Sequence, residues 1–324
     1  MRSFEHINAT TVGEAVSALA YYNGRATAMA GGTDLLAILK DRILPDYPAA
    51  IINIKAIPDM EYIRDDAGVL SIGALTKLAD IAESEHVRSA WMGLAQAAGS
   101  VATPEIRNMG TIGGNLCQQV RCWYYRYPHQ LGGRVMCRRK GDRICPAVKG
   151  DNRYHAIMGA KGCFAVCPSD LAVMLTALGA KLTIAGPEGE RSLAVEELFD
   201  TMGTTLEAHE ILTEVRIPRP LGRGRQRYLK HTLRKPIDFA VVGVASIITV
   251  ERGVCTDASI VLGAVAPTPV RAVEAEARIK GHTIDEITAE RAAEAAVKGA
   301  RPMAMNAYKT EIAKNLVKRA ILSS

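Results

Sequence analysis

No apolar run in the 324-residue chain approaches the ~18–20 residues that a membrane span requires. The start, Met1-Arg2-Ser3-Phe4-Glu5-His6, lacks the apolar core of a secretory signal and has no twin-arginine pair. The expectation is a cytoplasmic protein, or one exported only alongside a partner that carries the signal. No Cys-x₂-Cys pair occurs, which removes the tight pairing of common zinc modules and the bacterial ferredoxin run. No Ser/His/Asp or Cys/His signature of nucleophilic catalysis is present. Internal repeats and low-complexity segments are also missing. Aromatic residues are scarce, at 5% of the chain, so their placement carries information.

What is there is unevenly distributed. The hydrophobic share of 48% and the charged share of 23% are ordinary for a globular protein, and the length suits two or three domains. Six of the seven cysteines fall between Cys117 and Cys167: Cys117, Cys122, Cys137, Cys145, Cys163 and Cys167. The same segment holds ten Lys/Arg against two acidic residues, a net +8, whereas the whole chain is +6. Six of the sixteen aromatics lie there too, including Trp123-Tyr124-Tyr125. An odd cysteine count without a secretory signal argues against a disulfide framework, and clustered thiols in a reducing compartment more often bind metal.

Along the chain, Thr11–Tyr22 has helical spacing with Thr10 or Thr11 as a cap, and Gly24 ends it. Ala26–Ala30 reads as a short buried strand, Leu35–Arg42 as a helix broken by Pro45 and Pro48, and Ala50–Ile54 as a strand. Together they make a βαβ-like unit with Gly31-Gly32-Thr33-Asp34 at its strand-to-helix turn. Paired glycines there let backbone N–H groups approach a phosphate at the positive end of a helix. One pair alone is common punctuation, and it lacks the G-x-G-x-x-G spacing of a dinucleotide fingerprint. A second, Thr111-Ile112-Gly113-Gly114-Asn115, is harder to dismiss, because two such loops could cradle the two faces of a pyrophosphate.

Short strands are expected around Gly68 and Gly73, and one long helical stretch over Leu78–Gly99 with His86 at its surface. Leu171–Leu178 reads as an apolar helix, 181–195 as a hairpin, Glu210–Ile217 as a strand and Arg219–Arg227 as a basic linker. Three strands (Tyr228–Leu233, Phe239–Val250, Ala258–Ala266) and three helices (Arg271–Lys280, Thr288–Lys298, Ala307–Leu322) follow. Lys309, Lys314, Lys318 and Arg319 form a basic face on the last, expected to be solvated. The fold class is α+β: a small βαβ-like lobe over 1–56, a larger α/β lobe over 57–219 carrying the insertion 117–167, and a C-terminal α+β domain over 220–324 with a three-stranded antiparallel sheet.

The cysteine segment leaves several readings open. Cys163-x₃-Cys167 and Cys117-x₄-Cys122 suit zinc loosely, but Cys137 and Cys145 are badly spaced for it. A plant-type 2Fe–2S site would need a third cysteine where Tyr125 stands. A 4Fe–4S cluster on four dispersed thiolates is a net anion, which surplus arginine and lysine would stabilise. Basic residues among aromatics could also bind single-stranded nucleic acid, and the charge alone could be a solvated loop.

The motifs in order resemble a family. Ala30-Gly31-Gly32-Thr33-Asp34-Leu35, Thr111-Ile112-Gly113-Gly114-Asn115 and Pro168-Ser169-Asp170 are similar to the FAD-binding subunit of the xanthine dehydrogenase/aldehyde oxidase molybdenum hydroxylases, end to end. The resemblance implies that Met29, Ala30, Gly31, Gly32, Thr33, Asp34, Leu35, Thr111, Gly113, Gly114 and Asn115 hold FAD through its pyrophosphate. It adds Asp170, Lys230 and, packed on the flavin, Leu212. The cysteine insertion resembles the branch whose flavin subunits (4-hydroxybenzoyl-CoA reductase, bacterial aryl-aldehyde oxidoreductase) carry a 4Fe–4S cluster. That implies Cys122, Cys137 and Cys145 as ligands, with Cys163 as the fourth by the aldehyde oxidoreductase pattern. Cys117 and Cys167 are then extra thiols and Cys255 is incidental.

The implied job is electron transfer in a heterotrimer, which can itself pair, with a molybdenum-cofactor large subunit and a 2Fe–2S small subunit. Ferredoxin or another carrier is the implied external partner; neither nucleic acid nor a membrane is. The alternative is a stand-alone FAD oxidoreductase with a zinc-stabilised insert.

Overall fold

The computed structural model describes residues 1–219, 224–234 and 237–324. The proposed linker 219–227 and the domain boundary at 219/220 fall partly outside those residues.

The chain opens with a three-stranded parallel sheet ordered β1-β3-β2. Strand β1 (Glu5–Asn8) leads through helix α1 (Val12–Tyr22) to β2 (Ala26–Met29), then α2 (Leu35–Asp41) and β3 (Ala50–Asn53). Thr11 caps α1, its hydroxyl accepting from the Glu14 N–H at 3.1 Å, and Asn23 closes the helix in the left-handed region at φ 45°. Strand β2 is half-buried rather than buried, because all four of its residues line a cleft.

The second lobe is a five-stranded antiparallel sheet ordered β4-β5-β8-β6-β7. Its strands are β4 (Ile63–Asp66), β5 (Val69–Gly73), β6 (Lys181–Gly186), β7 (Gly189–Ala194) and β8 (Ile211–Pro218). In place of one long helix over Leu78–Gly99 there are three: α3 (Leu78–Glu83), α4 (Glu85–Ala90) and α5 (Met92–Gly99). Ser84 leaves helical geometry so that its hydroxyl can cap α4, accepting from the Val87 N–H at 3.4 Å. Trp91 breaks the next junction at φ −123°; it is fully buried and its indole N–H donates to the Pro218 carbonyl at 3.1 Å. Tertiary burial of one large side chain overrides local helix propensity there.

Short helices α6 (Pro104–Arg107), α7 (Ile112–Leu116) and α8 (Trp123–Arg126) carry the chain into the cysteine segment. Helix α9 (Asp170–Ala177) leaves it, buried along its whole length and capped by the Ser169 hydroxyl, which accepts from the Ala172 N–H at 3.0 Å. Ile38 and Ile43, from α2 and the turn after it, share a small core with Val120, Tyr125, Cys137, Cys163 and Ala165. The segment therefore packs on the first lobe and is not a free loop.

The C-terminal sheet has four antiparallel strands, not three, ordered β12-β11-β10-β9. They are β9 (Arg225–His231), β10 (Val242–Glu251), β11 (Val254–Gly263) and β12 (Val270–Arg271), the last too short to leave a sequence pattern. Helices α10 (Val273–Ile279), α11 (Glu286–Ala296) and α12 (Tyr308–Leu322) share one core with this sheet. Cys255 is fully buried in that core at the start of β11. The basic face of α12 is not all solvated: Lys318 bridges to Glu286 and Glu290 of α11, and Lys309 is fully buried.

Candidate functional site

The two glycine turns face each other. A methyl group at Gly31 would lie 1.9 Å from the Met109 carbonyl oxygen, and one at Gly113 would lie 2.9 Å from that of Ala74. Only glycine permits this approach, and Gly32 adds a φ of +70°. Thr111 fixes the second turn, its hydroxyl accepting from the Gly114 N–H at 3.1 Å. Between the turns runs a cleft of about 440 Å³, of the size that holds organic cofactors. Met29 to Leu35, Thr111, Gly113, Gly114 and Leu212 all line it. Asn115 lies behind it, its side-chain carbonyl accepting from the Ser169 hydroxyl at 2.6 Å.

Asp34 lines the cleft but spends its carboxylate on the cysteine segment. It pairs with Arg121 at 2.8 Å and Arg126 at 2.7 Å and accepts from the Gln119 N–H at 2.8 Å. Burial pulls the Arg121 pKa down to about 10, opposed by the adjacent Asp34 carboxylate.

Asp170 and Lys230 stand apart from the cleft as a buried ion pair, 2.7 Å between Oδ2 and Nζ. Tyr228 donates its hydroxyl to Asp170 Oδ1 at 2.5 Å, and Lys230 also donates to the Ser100 carbonyl at 2.9 Å. Burial, then the Asp170 charge, pushes the Tyr228 pKa well above its usual value, so it remains a donor. Asp170 and Tyr228 line a small cavity with Arg121 and Phe239. A larger cavity of about 370 Å³ shares Arg121 and Phe239 and adds Trp123, Tyr154, His155 and Cys122.

Cys122, Cys137, Cys145 and Cys163 line one further cavity together. Cys117 lines the glycine cleft instead, and Cys167 joins the core of the first two lobes. Burial raises the Cys122 pKa to about 11, while the Tyr125 and Tyr124 backbone N–H groups at its sulfur oppose the rise. Burial also raises Cys137, against the Arg139 N–H and the Lys140 ammonium. Arg139 Nε donates to Cys163 Sγ at 3.3 Å, and His155 Nε2 lies 3.2 Å from Cys122 Sγ. Thiols so placed are poor as free nucleophiles and well supplied with N–H donors once ionised. Among the described residues, no three His, Cys, Asp or Glu side chains converge on a point that would hold one metal ion.

The sequence missed parts of this arrangement. Thr204, Leu206, Glu207, Ala208, Glu210 and Ile211 line the cleft from a stretch with no motif beyond Leu212. Tyr228 was hidden inside a strand pattern. Ser169 was visible as a capping serine ahead of an apolar run.

Residues 2–220 match the model of the FAD binding domain in molybdopterin dehydrogenase, and residues 227–324 that of the CO dehydrogenase flavoprotein C-terminal domain. The chain belongs to the FAD-binding subunits of the molybdenum hydroxylases. It is 32% identical to the aldehyde oxidoreductase FAD-binding subunit of Escherichia coli (strain K12), over 97% of this chain and 96% of that one. It is 28% identical to the carbon monoxide dehydrogenase medium chain of Hydrogenophaga pseudoflava, over 98% and 96% of the two chains. The crystal structure of that enzyme superposes with a TM-score of 0.79 at 29% identity, covering 99% of this chain and 96% of that one. Quinoline 2-oxidoreductase from Pseudomonas putida 86 gives 0.78 at 27% identity, with the same coverage. A molybdenum hydroxylase flavin subunit is an oxidoreductase component, and FAD is its cofactor. Among the described residues no helix is long and apolar enough to cross a membrane.

Proposed function

We propose that this subunit carries electrons between FAD and a 4Fe–4S cluster within a cytoplasmic molybdenum hydroxylase. Its substrate, an aromatic, heteroaromatic or aldehyde compound, binds on another subunit. Gly31-Gly32-Thr33 and Thr111–Gly114 would hold FAD at its pyrophosphate, Leu212 would pack on it, and Asp170 and Lys230 complete the set of residues assigned to it. FAD supplies two-electron exchange with a mobile acceptor and one-electron exchange with iron–sulfur centres. The chain contributes position and electrostatics, and none of its residues acts as acid, base or nucleophile on the organic substrate. The three-part division 1–56, 57–219 and 220–324 is the accompanying domain reading.

Cys122, Cys137, Cys145 and Cys163 hold the cluster. What supports this is that the four thiols line one small cavity, of about 10 Å³, with Cys117 and Cys167 outside it. N–H donors at the Cys122, Cys137 and Cys163 sulfurs suit an anionic cluster.

A molybdenum-cofactor large subunit and a 2Fe–2S small subunit complete a heterotrimer that can itself pair. The relatives' own names, FAD-binding subunit and medium chain, support a multi-subunit setting. An acidic carrier such as ferredoxin docks over the thiols, where Arg138, Arg143 and Lys149 are exposed beside Met136, Ile144 and Val148.

The test is an anaerobic visible and EPR spectrum of the purified chain, with iron, sulfide, zinc and FAD quantified. Four irons per FAD are expected. Zinc without iron or acid-labile sulfide would overturn the reading.

A further inference from the structure

His155 lies outside both glycine loops and outside the four proposed cluster ligands. The structure holds it tightly all the same. It is 3% exposed, and its ring packs against Trp123 and Tyr124 at centroid distances of 5.7 and 6.0 Å. Its backbone N–H donates to the Asn152 carbonyl at 3.0 Å. Its own carbonyl accepts from Lys309 Nζ and from Asn306 Nδ2, both at 3.1 Å. Asn306 and Lys309 are fully buried, and Lys309 also donates to the Ala264 carbonyl at 2.6 Å. Asn152, 1% exposed, accepts from the Met305 N–H at 3.0 Å. The imidazole is thus positioned by the C-terminal domain rather than by the cysteine segment alone.

Nε2 lies 3.2 Å from Cys122 Sγ, whereas Nδ1 is buried with no partner among the described residues. A thiolate can only accept, so a neutral imidazole facing it must carry its proton on Nε2. We infer that His155 donates Nε2–H to the Cys122 sulfur and raises the reduction potential of the centre those thiols hold, with Asn306 and Lys309 as positioning residues. Reduction adds negative charge that spreads onto the sulfurs, and a donor aimed at sulfur stabilises the reduced state more than the oxidised one. This inference rests on the iron–sulfur reading above.

The test is an EPR-monitored redox titration of the intact complex, parent against His155→Leu, His155→Gln and Lys309→Met, with iron and sulfide counted in each. His155→Leu keeps four irons and shifts the midpoint potential negative. His155→Gln, which restores an N–H donor, recovers part of the shift. Lys309→Met moves it the same way by loosening the carbonyl anchor. An unchanged midpoint in His155→Leu with full iron overturns the inference. So does iron loss in both His155 variants while Cys163→Ser keeps four irons, because His155 would then be a ligand. A parent complex without iron fails the cluster reading itself, and the parent's metal analysis separates that result from the others.

Discussion

Gly31 has the tightest steric constraint in the cleft. A Cβ there would sit 1.9 Å from the Met109 carbonyl oxygen, which belongs to backbone and cannot swing aside. Gly31→Ala must therefore push the two glycine turns apart, at a cost of about 1–3 kcal/mol. The expected result is a folded chain with a large loss of bound flavin, read as FAD absorbance per chain after gel filtration. Full flavin content would show that the turns do not meet across the cofactor. The glycine pairs were legible in the sequence because a glycine requirement leaves a visible letter. The contact that enforces it was not, since Met109 gives no sign of facing a loop more than seventy residues earlier. Lys309 shows the opposite case: three basic neighbours on α12 made it read as surface, yet it is fully buried.

Helix α12 and the loop before it bind the tail of the cysteine segment. Tyr308 donates to the Arg153 carbonyl at 2.9 Å, and Asn306 and Lys309 donate to that of His155. Burial lowers the Lys309 pKa to about 7, well under its unfolded value of about 10.4. Between those values the unfolded chain binds more protons at this position, so stability contributed here rises with pH and is lost as pH falls toward 7. Lys309→Met should flatten the increase in thermal stability between pH 7 and pH 10, measured as Tm against pH beside the parent. A parallel pair of curves would contradict it. Elements with their own caps and periodicity, such as α1, α9 and the β6–β7 hairpin, could be read locally. The division of Leu78–Gly99 into three helices could not: Ser84 makes the first break by capping α4, and burial of Trp91 against the second sheet makes the other.

At the scale of the whole molecule, the +8 of the cysteine segment divides into structural and free charge. Lys140 is buried, donating to the Val135 carbonyl at 2.8 Å, and Arg139 is engaged with Cys163 and the Thr201 and Met202 carbonyls. The exposed cations of the proposed docking patch are therefore Arg138, Arg143 and Lys149. Reversing these three to glutamate should lower kcat/KM with ferredoxin at low salt at least tenfold, with dye-linked turnover unchanged. Equal turnover with ferredoxin would remove the docking assignment. Net charge was readable from composition; which cations were exposed was not, because that depends on how the chain folds around them.

Asp34 belongs to the first glycine turn and also pairs with both arginines that open the cysteine segment. One carboxylate is thus shared by two chambers. Whatever orders residues 119–126 steadies the wall of the glycine cleft, and filling the cleft steadies the thiols to the same extent, since such coupling is reciprocal. On the proposed iron–sulfur reading, loss of either cofactor then loosens the hold on the other.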